Sequence, residues 1–317
     1  MIQTRALVKR YGSFTAVNGI DLSIHPGEIY GFLGPNGAGK TSTIMMLLGI
    51  TRPTSGEILL FGEHYGPHRL DLRRRIGMVP EKHPRGIWPW ITAREYLRFF
   101  ADLFEITTPE KRIGYLLEKV ELSVVGEKRI RDFSRGMLQK LSIVRALLAD
   151  PDILLLDEPI SGLDPIGIKQ VRDLILSENR EGRTIFISSH QLSEMEKVCH
   201  RVAIISQGRL MAEDSMGSLL SRLTRDREIH VDLESIPPEL ERRMKSLPSV
   251  LDCIARGNTL IVKVPKEGDF RKVVSEFLIG QSLVPLRIQE KTLSLEEAFI
   301  TITQENVETL TTVGGRQ

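Results

Sequence analysis

The chain has 317 residues, of which 41% are apolar and 26% are charged, and its 43 basic and 41 acidic side chains leave a formal net charge of +2. This length is typical of two domains, and the composition is that of a globular protein and not of a disordered or fibrous one. The near balance of charge argues against a strongly basic nucleic-acid-binding protein. The two cysteines, Cys199 and Cys253, exclude a disulfide scaffold and indicate half-buried free thiols in a reducing compartment.

No apolar run in the sequence is long enough to cross a bilayer. The longest, Ile44–Ile50, is far shorter than the roughly 18 residues that a membrane span needs. The first ten residues also lack the apolar segment of a secretory signal. We therefore expect a cytosolic chain that reaches a membrane only through a partner.

Up to about Asp214, short apolar runs alternate with amphipathic helical stretches, which predicts a mostly parallel sheet wrapped by helices. The predicted strands are Ile20–Ile24, Ile29–Leu33, Glu57–Phe61, Ile76–Val79, Ile153–Leu156, Thr184–Ser188 and Val202–Ser206. Several of them are apolar on both faces, as buried parallel strands are.

Helices are predicted after most of these strands. One covers Gly39–Leu48 after a glycine-rich turn, and another covers Pro165–Leu176 behind an Asp164 cap. Ser193 and Glu196 have the spacing of a capping box, which predicts a further short helix.

Between Glu81 and Ser134 the sequence contains no strand pattern. Thr92-x-x-Glu95 is a capping-box spacing ahead of an apolar period, and Thr108-Pro109 starts a second helix through Val120. We predict a helical insertion in the α/β domain, at about residues 85–150.

After about residue 220 the pattern changes to that of a small α+β domain. The predicted elements are strand Glu228–Leu233, helix Pro238–Lys245, strands Val250–Ala255 and Thr259–Val264 about a Gly257-Asn258 turn, helix Phe270–Ile279 and strand Val284–Gln289. This βαββαβ order predicts a ferredoxin-like domain over residues 221–317, after a first domain over residues 1–220. Ser294-x-x-Glu297 predicts a last helix ahead of a polar, frayed tail.

A phosphate-binding loop is predicted at residues 34–41. Their sequence, G-P-N-G-A-G-K-T, fits G-x-x-x-x-G-K-S/T between a predicted strand and a predicted helix. Backbone N–H groups of such a loop surround phosphate oxygens, and the helix N-terminus adds its dipole. Lys40 would bind the β- and γ-phosphates, and the Thr41 hydroxyl would bind Mg²⁺. The alternative is a glycine turn that only starts a helix.

Two carboxylates follow the apolar strand at residues 153–156. Asp157 would hold Mg²⁺, directly or through water, and Glu158 would orient and deprotonate an attacking water. In isolation two such acids are more often solvated charges at a loop edge, but the phosphate-loop pattern in the same chain favours the catalytic interpretation.

Residues 1–215 resemble the nucleotide-binding subunit of ATP-binding-cassette (ABC) transporters, and the matching elements occur in the family's order. These elements are an adenine-stacking aromatic (Tyr11), the Walker A motif (residues 34–41), the signature (Phe133–Met137), the Walker B motif with its glutamate (residues 153–158), the D-loop (Ser161–Asp164) and the switch histidine (His190).

The resemblance implies an α/β fold, with a P-loop NTPase core, an antiparallel β subdomain and the helical insertion. It implies ATP and Mg²⁺ as cofactors, and a head-to-tail dimer that holds ATP between the Walker A loop of one subunit and the signature of the other. Ser134 and the Gly136 backbone would contact the γ-phosphate across the interface, and His190 would sense its loss. The implied nucleotide-binding residues are Tyr11, Gly34, Pro35, Asn36, Gly37, Ala38, Gly39, Lys40, Thr41, Ser42, Ser134, Gly136 and Asp164. Taken singly, His190 and Tyr11 are ordinary structural residues, and Asp164 is a helix cap.

Two motifs depart from the family pattern, at three positions. Glu81 stands where the family usually has a glutamine that contacts Mg²⁺ and the attacking water, so the resemblance implies a metal-binding and catalytic role for it. Arg135 and Met137 replace a glycine and a glutamine of the signature, whereas the phosphate-contacting Ser134 and Gly136 are present. This combination, together with the C-terminal domain, resembles the exporter-type branch of the family.

The resemblance also implies a separate integral membrane permease. The stretch Arg85–Trp90 contains both tryptophans and would border the groove that receives a cytoplasmic helix of that subunit, or the tryptophans would cover the insertion's own core. We expect an ATP-hydrolysing transport subunit that works as a homodimer or with a second nucleotide-binding subunit, at the inner face of the cell membrane.

Two other hypotheses stay open at this stage. The chain could be a soluble ABC-type ATPase that acts on ribosomes or DNA, although such relatives usually carry two cassettes or a long coiled-coil insertion. No nucleic-acid partner is expected, given the short insertion and the balanced charge. The C-terminal domain could be a regulatory or dimerisation module, which truncation after Leu220 would test.

Overall fold

A computed structural model describes residues 1–66, 68–81, 89–223, 226–291 and 294–299. Contacts within the described chain separate a unit of residues 1–216 from a second unit that begins at Gly217. No helix among these residues is both long and apolar enough to cross a bilayer.

The first sheet is antiparallel, in the order β2-β1-β4-β5. Its strands are β1 (Ile2–Tyr11), β2 (Phe14–Ile24), β4 (Ser55–Leu60) and β5 (Glu63–His64). Of these strands, the sequence pattern predicted only the last five residues of the eleven-residue β2 and most of β4. The register of β1 against β2 shifts at three places, so the alternation of buried and exposed side chains that marks a strand is broken there.

The second sheet has the order β10-β9-β3-β8-β7-β6, and only its edge strand β10 is antiparallel. Its strands are β3 (Ile29–Leu33), β6 (Ile76–Val79), β7 (Ile153–Asp157), β8 (Thr184–Ser189), β9 (Arg201–Ser206) and β10 (Arg209–Ser215). Every residue of β3, β7 and β8 is buried, as predicted for central parallel strands. The edge strand β10, which is only half-buried, was not predicted.

Four helices of the described chain accompany these sheets. They are α1 (Lys40–Leu47), α2 (Leu70–Arg73), α6 (Pro165–Arg180) and α7 (Leu192–Met195). A further helix, α8 (Met216–Leu223), begins at the last residue of the first unit and belongs otherwise to the second. The predicted Asp164 cap is confirmed, because its carboxylate accepts a hydrogen bond from the Gly167 N–H at 2.8 Å. The predicted Ser193–Glu196 capping box is wrong: α7 begins behind Gln191, so Ser193 lies inside the helix, where its hydroxyl cannot serve the N-terminus.

The helical insertion contains α3 (Ala93–Leu103), α4 (Pro109–Lys119) and α5 (Arg135–Leu147). Both halves of the Thr92–Glu95 capping box are present, at 3.1 Å and 2.7 Å. The α5 helix begins two residues earlier than the predicted Met137, since the Ser134 hydroxyl accepts the Met137 N–H at 3.2 Å.

The second unit contains β11 (Asp226–Asp232), α9 (Leu240–Lys245), β12 (Asp252–Arg256), β13 (Thr259–Pro265), α10 (Arg271–Gly280) and β14 (Arg287–Lys291). Its sheet is antiparallel in the order β12-β13-β11-β14, which confirms the ferredoxin-like topology. The last strand begins three residues later than predicted, because Val284 and Leu286 are exposed and do not join the core. The Ser294–Glu297 capping contacts are present ahead of the helical residues 295–299.

Both cysteines are free thiols, as predicted, and both are buried. Burial raises the pKa of Cys199 far above its ordinary value and that of Cys253 to about 12. Neither thiol is therefore a thiolate at neutral pH, which supports the structural interpretation of both.

Candidate functional site

The site lies at the carboxyl edge of the parallel sheet, where β3, β7 and β8 end side by side. The loop of residues 34–39 follows β3, the two acids follow the apolar part of β7, and His190 follows β8. Because parallel strands end at the same edge, segments more than a hundred residues apart meet here.

The phosphate-loop residues adopt a conformation that only glycine takes readily. Gly37 and Gly39 have φ angles of 79° and 108°, and a Cβ on Gly39 would collide with the Ala16 carbonyl oxygen. No side chain caps α1 behind Gly39, so the free N–H groups of its first turn are available to an anion.

The Lys40 ammonium is buried within this loop. Its Nζ donates to the carbonyl oxygens of Gly34 and Pro35 at 2.8 Å and 3.3 Å, and it lies 3.2 Å from Glu158 Oε1. With only 6% of its surface exposed, it places a positive charge in a partly desolvated site, where charge interactions are stronger than in water.

Asp157 and Thr41 form a pair of oxygen ligands. The Thr41 hydroxyl donates to Asp157 Oδ2 at 3.1 Å, and the Ser188 hydroxyl donates to the other carboxylate oxygen, Oδ1, at 2.5 Å. A carboxylate and a hydroxyl held together in this way suit a hard cation such as Mg²⁺. Within the described ranges, no three His, Cys, Asp or Glu side chains converge to bind a metal by themselves.

Glu158 is the central side chain of the site. It has a φ of 49°, in the left-handed region that a non-glycine residue rarely adopts, and such strain is concentrated at functional sites. Its Oε2 lies 2.8 Å from Nδ1 of His190, and its Oε1 faces Lys40. Oε1 is buried and accepts no hydrogen bond from the described part of the chain.

Lys40, Thr41, Glu158 and His190 line one open cavity of about 640 Å³. Its lining residues are Phe14, Ala16, Asn36, Gly37, Gly39, Lys40, Thr41, Ser42, Glu81, Glu158, Ser161 and His190. Most of the residues that the motifs predicted are thus brought together, including Glu81. Sequence reasoning did not select Phe14, Ala16 or Ser161 individually, although Ser161 belongs to the predicted D-loop.

Other predicted residues lie outside the cavity lining. Tyr11 ends β1 opposite Phe14, is half-exposed, and has Lys9 Nζ 5.0 Å from its ring centre. The carbonyl oxygens of Gly34 and Pro35 accept hydrogen bonds from Lys40, and the Ala38 side chain is buried. Ser134, Gly136 and Asp164 stand at the N-termini of α5 and α6, where Ser134 and Asp164 are exposed. The cavity of a single chain therefore contains no signature residue among those that line it.

A second cavity, of about 590 Å³, has mostly apolar walls. It is lined by Leu70, Arg73, Arg74, Ile76, Gly77, Met78, Phe100, Leu103, Phe104, Arg145, Ala146 and Ala149. We call it the apolar groove. Leu70 and Leu103 are 60% and 62% exposed, so this groove presents large apolar side chains to solvent. Of the predicted docking stretch, Trp90 is 65% exposed and thus does not cover the insertion's core, while residues 85–88 lie outside the described residues.

The sequence was compared with known proteins. The model of the ABC transporter family matches residues 17–161. The bacitracin transport ATP-binding protein BcrA of Bacillus licheniformis is 46% identical over 223 residues, which are 70% of this chain and 72% of that protein. The linearmycin resistance ATP-binding protein LnrL of Bacillus subtilis is 33% identical over 310 residues, 96% and 98% of the two chains.

Solved structures share the fold of the first unit. A structure described as the ATP-binding subunit of an ABC transporter has a TM-score of 0.63 and 27% identity, and the match covers 70% of this chain and 92% of that one. The cassette MJ0796, described as a dimer in a post-hydrolysis state bound to ADP and Pi, has a TM-score of 0.62 and 23% identity, with 68% and 99% coverage. At that identity the second likeness supports the fold alone.

Proposed function

This chain belongs to the ABC transporter family as an ATP-hydrolysing subunit, and we propose that it binds MgATP between two subunits and powers a separate membrane exporter. One observation carries the assignment of the site: in one cavity the Glu158 carboxylate stands between Lys40 and His190, and Thr41, which also lines this cavity, is hydrogen-bonded to Asp157.

Nucleotide binding is assigned to the loop and to Lys40. The glycine backbone and the first turn of α1 would surround the β- and γ-phosphates, with Asn36 and Ser42 at the rim of the cavity. Thr41 and Asp157 would hold Mg²⁺ together with phosphate oxygens and water, and the ion would neutralise charge on the leaving phosphates. For the adenine ring, the exposed face of Tyr11 offers a stacking surface, and Phe14 extends it toward the cavity.

Glu158 is the general base of this proposal. Its carboxylate lines the cavity, and its Oε1, buried beside Lys40, accepts no hydrogen bond from the described residues. In this proposal a water bound in the cavity loses its proton to the Glu158 carboxylate during attack on the γ-phosphate. His190 fixes the other oxygen, Oε2, and its exposed ring can reach a phosphate.

Glu81 is proposed as a ligand on the opposite wall of the cavity. Its side chain is exposed and lines the same space as Thr41 and Glu158. A carboxylate can bind Mg²⁺ or its water, although it adds negative charge that a glutamine would not.

A second subunit is proposed because the signature stands apart from its own cavity. Ser134 is exposed at the N-terminus of α5, whose first turn contains no acidic residue that would repel a phosphate. Ser134 and the Gly136 N–H, together with Asp164 at the N-terminus of α6, would complete the site of a partner subunit, either another copy or a second nucleotide-binding chain.

The apolar groove is proposed as the contact for the permease. Its exposed Leu70 and Leu103 offer the kind of apolar surface that a helix buries on binding. We place the chain at the inner face of the membrane, held there by this partner. Because the relatives described above are transport or resistance subunits, they favour transport over action on ribosomes or DNA. A further relative, the Nod factor export ATP-binding protein I of Burkholderia pseudomallei, is 35% identical over 306 residues and supports the outward direction.

The proposal is tested by Glu158→Gln. Without the base, ATP turnover should fall by about 10²–10⁴-fold, while ATP binding persists and an ATP-bound dimer accumulates on a sizing column. Glu118→Gln, an exposed change on α4, is the matched control and should leave turnover unaltered. Wild-type turnover in the Glu158→Gln protein would show that Glu158 is not the base.

A further inference from the structure

The most unusual residue of the signature is Arg135, and it contacts a distant loop. Arg135 is the first residue of α5, directly after Ser134. Its guanidinium occupies the space that a side chain on Gly162 would need: a Cβ built there would overlap the guanidinium, with Nη2 only 2.6 Å away. Gly162 has a φ of 66°, a conformation that favours glycine, and the absence of a side chain there leaves room for the guanidinium.

The loop beneath Arg135 leads straight into the cavity. The Ser161 N–H donates to the Glu158 carbonyl at 3.1 Å, and the Leu163 N–H donates to the Ile160 carbonyl at 3.3 Å, so this loop is a pair of tight turns. Ser161 lines the cavity and is bonded to Gly162. A displacement of Gly162 therefore moves a wall of the nucleotide site, close to Glu158.

We propose that Arg135 is a positioning residue that holds the Ser161–Asp164 loop against the start of α5 and thereby couples the two nucleotide sites of the dimer. This rests on the proposed function, in which Ser134 completes the partner's site while Ser161 lines the chain's own site. When Ser134 binds the nucleotide of the partner subunit, Arg135 moves together with Ser134 and changes the position of Gly162 and Ser161 in its own chain.

Packing, and not charge, carries this contact. No acidic partner for the Arg135 guanidinium is recorded among the described residues, and the group lies over a glycine. Arginine presents a planar, rigid guanidinium, whereas lysine presents a compact ammonium on a flexible stem. Arginine and lysine should therefore behave differently at this position.

The test compares Arg135→Ala and Arg135→Lys with the wild type. Turnover should fall in both, by up to about 10²-fold for a misplacement near 1 Å. The Hill coefficient for ATP should fall toward one, because the sites act independently. Affinity for a fluorescent ADP analogue should stay unchanged, since the chain's own phosphate loop is intact. Arg131→Ala removes another exposed arginine upstream of the signature and should change none of these values.

Several results would overturn the proposal. Wild-type kinetics in Arg135→Ala would do so, and so would full activity in Arg135→Lys, which would assign a role to the charge instead. Gly162→Ala approaches the same contact from the other side. Its backbone strain at a φ of 66° costs activity in any background, but the loss should be smaller in Arg135→Ala than in the wild type, because the guanidinium no longer meets the new Cβ. Equal losses in the two backgrounds would mean that the residues act separately. If the wild type does not hydrolyse ATP, the proposed function is wrong. If Arg135→Ala hydrolyses ATP with the wild-type Hill coefficient, only the role of Arg135 is wrong.

Discussion

At the residue scale, Lys40 and Glu158 depend on each other. The ammonium is buried with two carbonyl oxygens and the Glu158 carboxylate as its ligands, so its charge is balanced before any nucleotide arrives. An incoming phosphate adds a second anion to the same ammonium. The backbone of Glu158, strained at a φ of 49°, directs its carboxylate to the cavity and not into solvent.

Lys40→Ala should weaken ATP binding by about 1.5–3 kcal/mol, the usual contribution of one hydrogen bond to a charged group. Titration of a fluorescent ATP analogue measures this loss. Lys197→Ala, which removes a half-exposed lysine outside the cavity, serves as the control. Equal affinity in Lys40→Ala and wild type would mean that Lys40 does not contact the nucleotide.

At the element scale, a buried carboxylate joins the helical insertion to the sheet. Glu178 of α6 is 1% exposed and lies 2.6 Å from Lys119 Nζ on α4 and 2.8 Å from Arg183 Nε just before β8. Burial alone would lower the pKa of Lys119, but its hydrogen bonds to Glu178 and Glu181 raise it overall, so the lysine stays charged. The network fixes α4 beside the core that carries the nucleotide site.

Glu178→Gln should lower the free energy of unfolding by about 3 kcal/mol, because it leaves buried positive charges without their shared partner. Denaturant unfolding followed by circular dichroism measures the change. Glu181→Gln removes the exposed partner of the same lysine, and here the expected loss is at most about 1 kcal/mol. Equal effects of the two changes would contradict the importance of burial.

At the scale of the whole molecule, the two cavities have different chemistry. The nucleotide cavity is lined by glycines and charged groups, while the apolar groove presents leucine and phenylalanine side chains beside arginines. This separation allows hydrolysis and partner docking to be altered independently.

Leu103→Asp should disrupt the apolar groove and release the chain from membranes of its host, because a carboxylate there must be desolvated when a helix docks. Cell fractionation with antibody detection measures the release, and ATP turnover of the purified chain should be unchanged. Val124→Asp, at a 96% exposed position of the same insertion, is the control and should leave the chain on membranes. Release by both variants, or by neither, would argue against this groove as the docking surface.

Elements that depend on short-range sequence patterns could be predicted from the linear sequence. The glycine loop, the acids after an apolar strand, the Thr92 and Asp164 caps and the βαββαβ order of the second unit all depend on short spacing or periodicity, which a linear pattern carries. The prediction failed where the pattern was interrupted: bulges broke the alternation of β1, the half-buried edge strand β10 has no strong period, and α7 begins one residue before the apparent capping box.

The contacts between segments that are distant in the chain could not be predicted in this way, because they depend on the packing of the folded chain. Thr41 and Asp157 are 116 residues apart and touch because β3 and β7 both flank β8 in one parallel sheet. The same packing brings Phe14 and Ser161 to the cavity, leaves Ser134 outside its own chain's cavity, and lays Arg135 over Gly162. Spacing along the chain encodes local hydrogen bonding, whereas these contacts depend on strand order, which no single segment specifies.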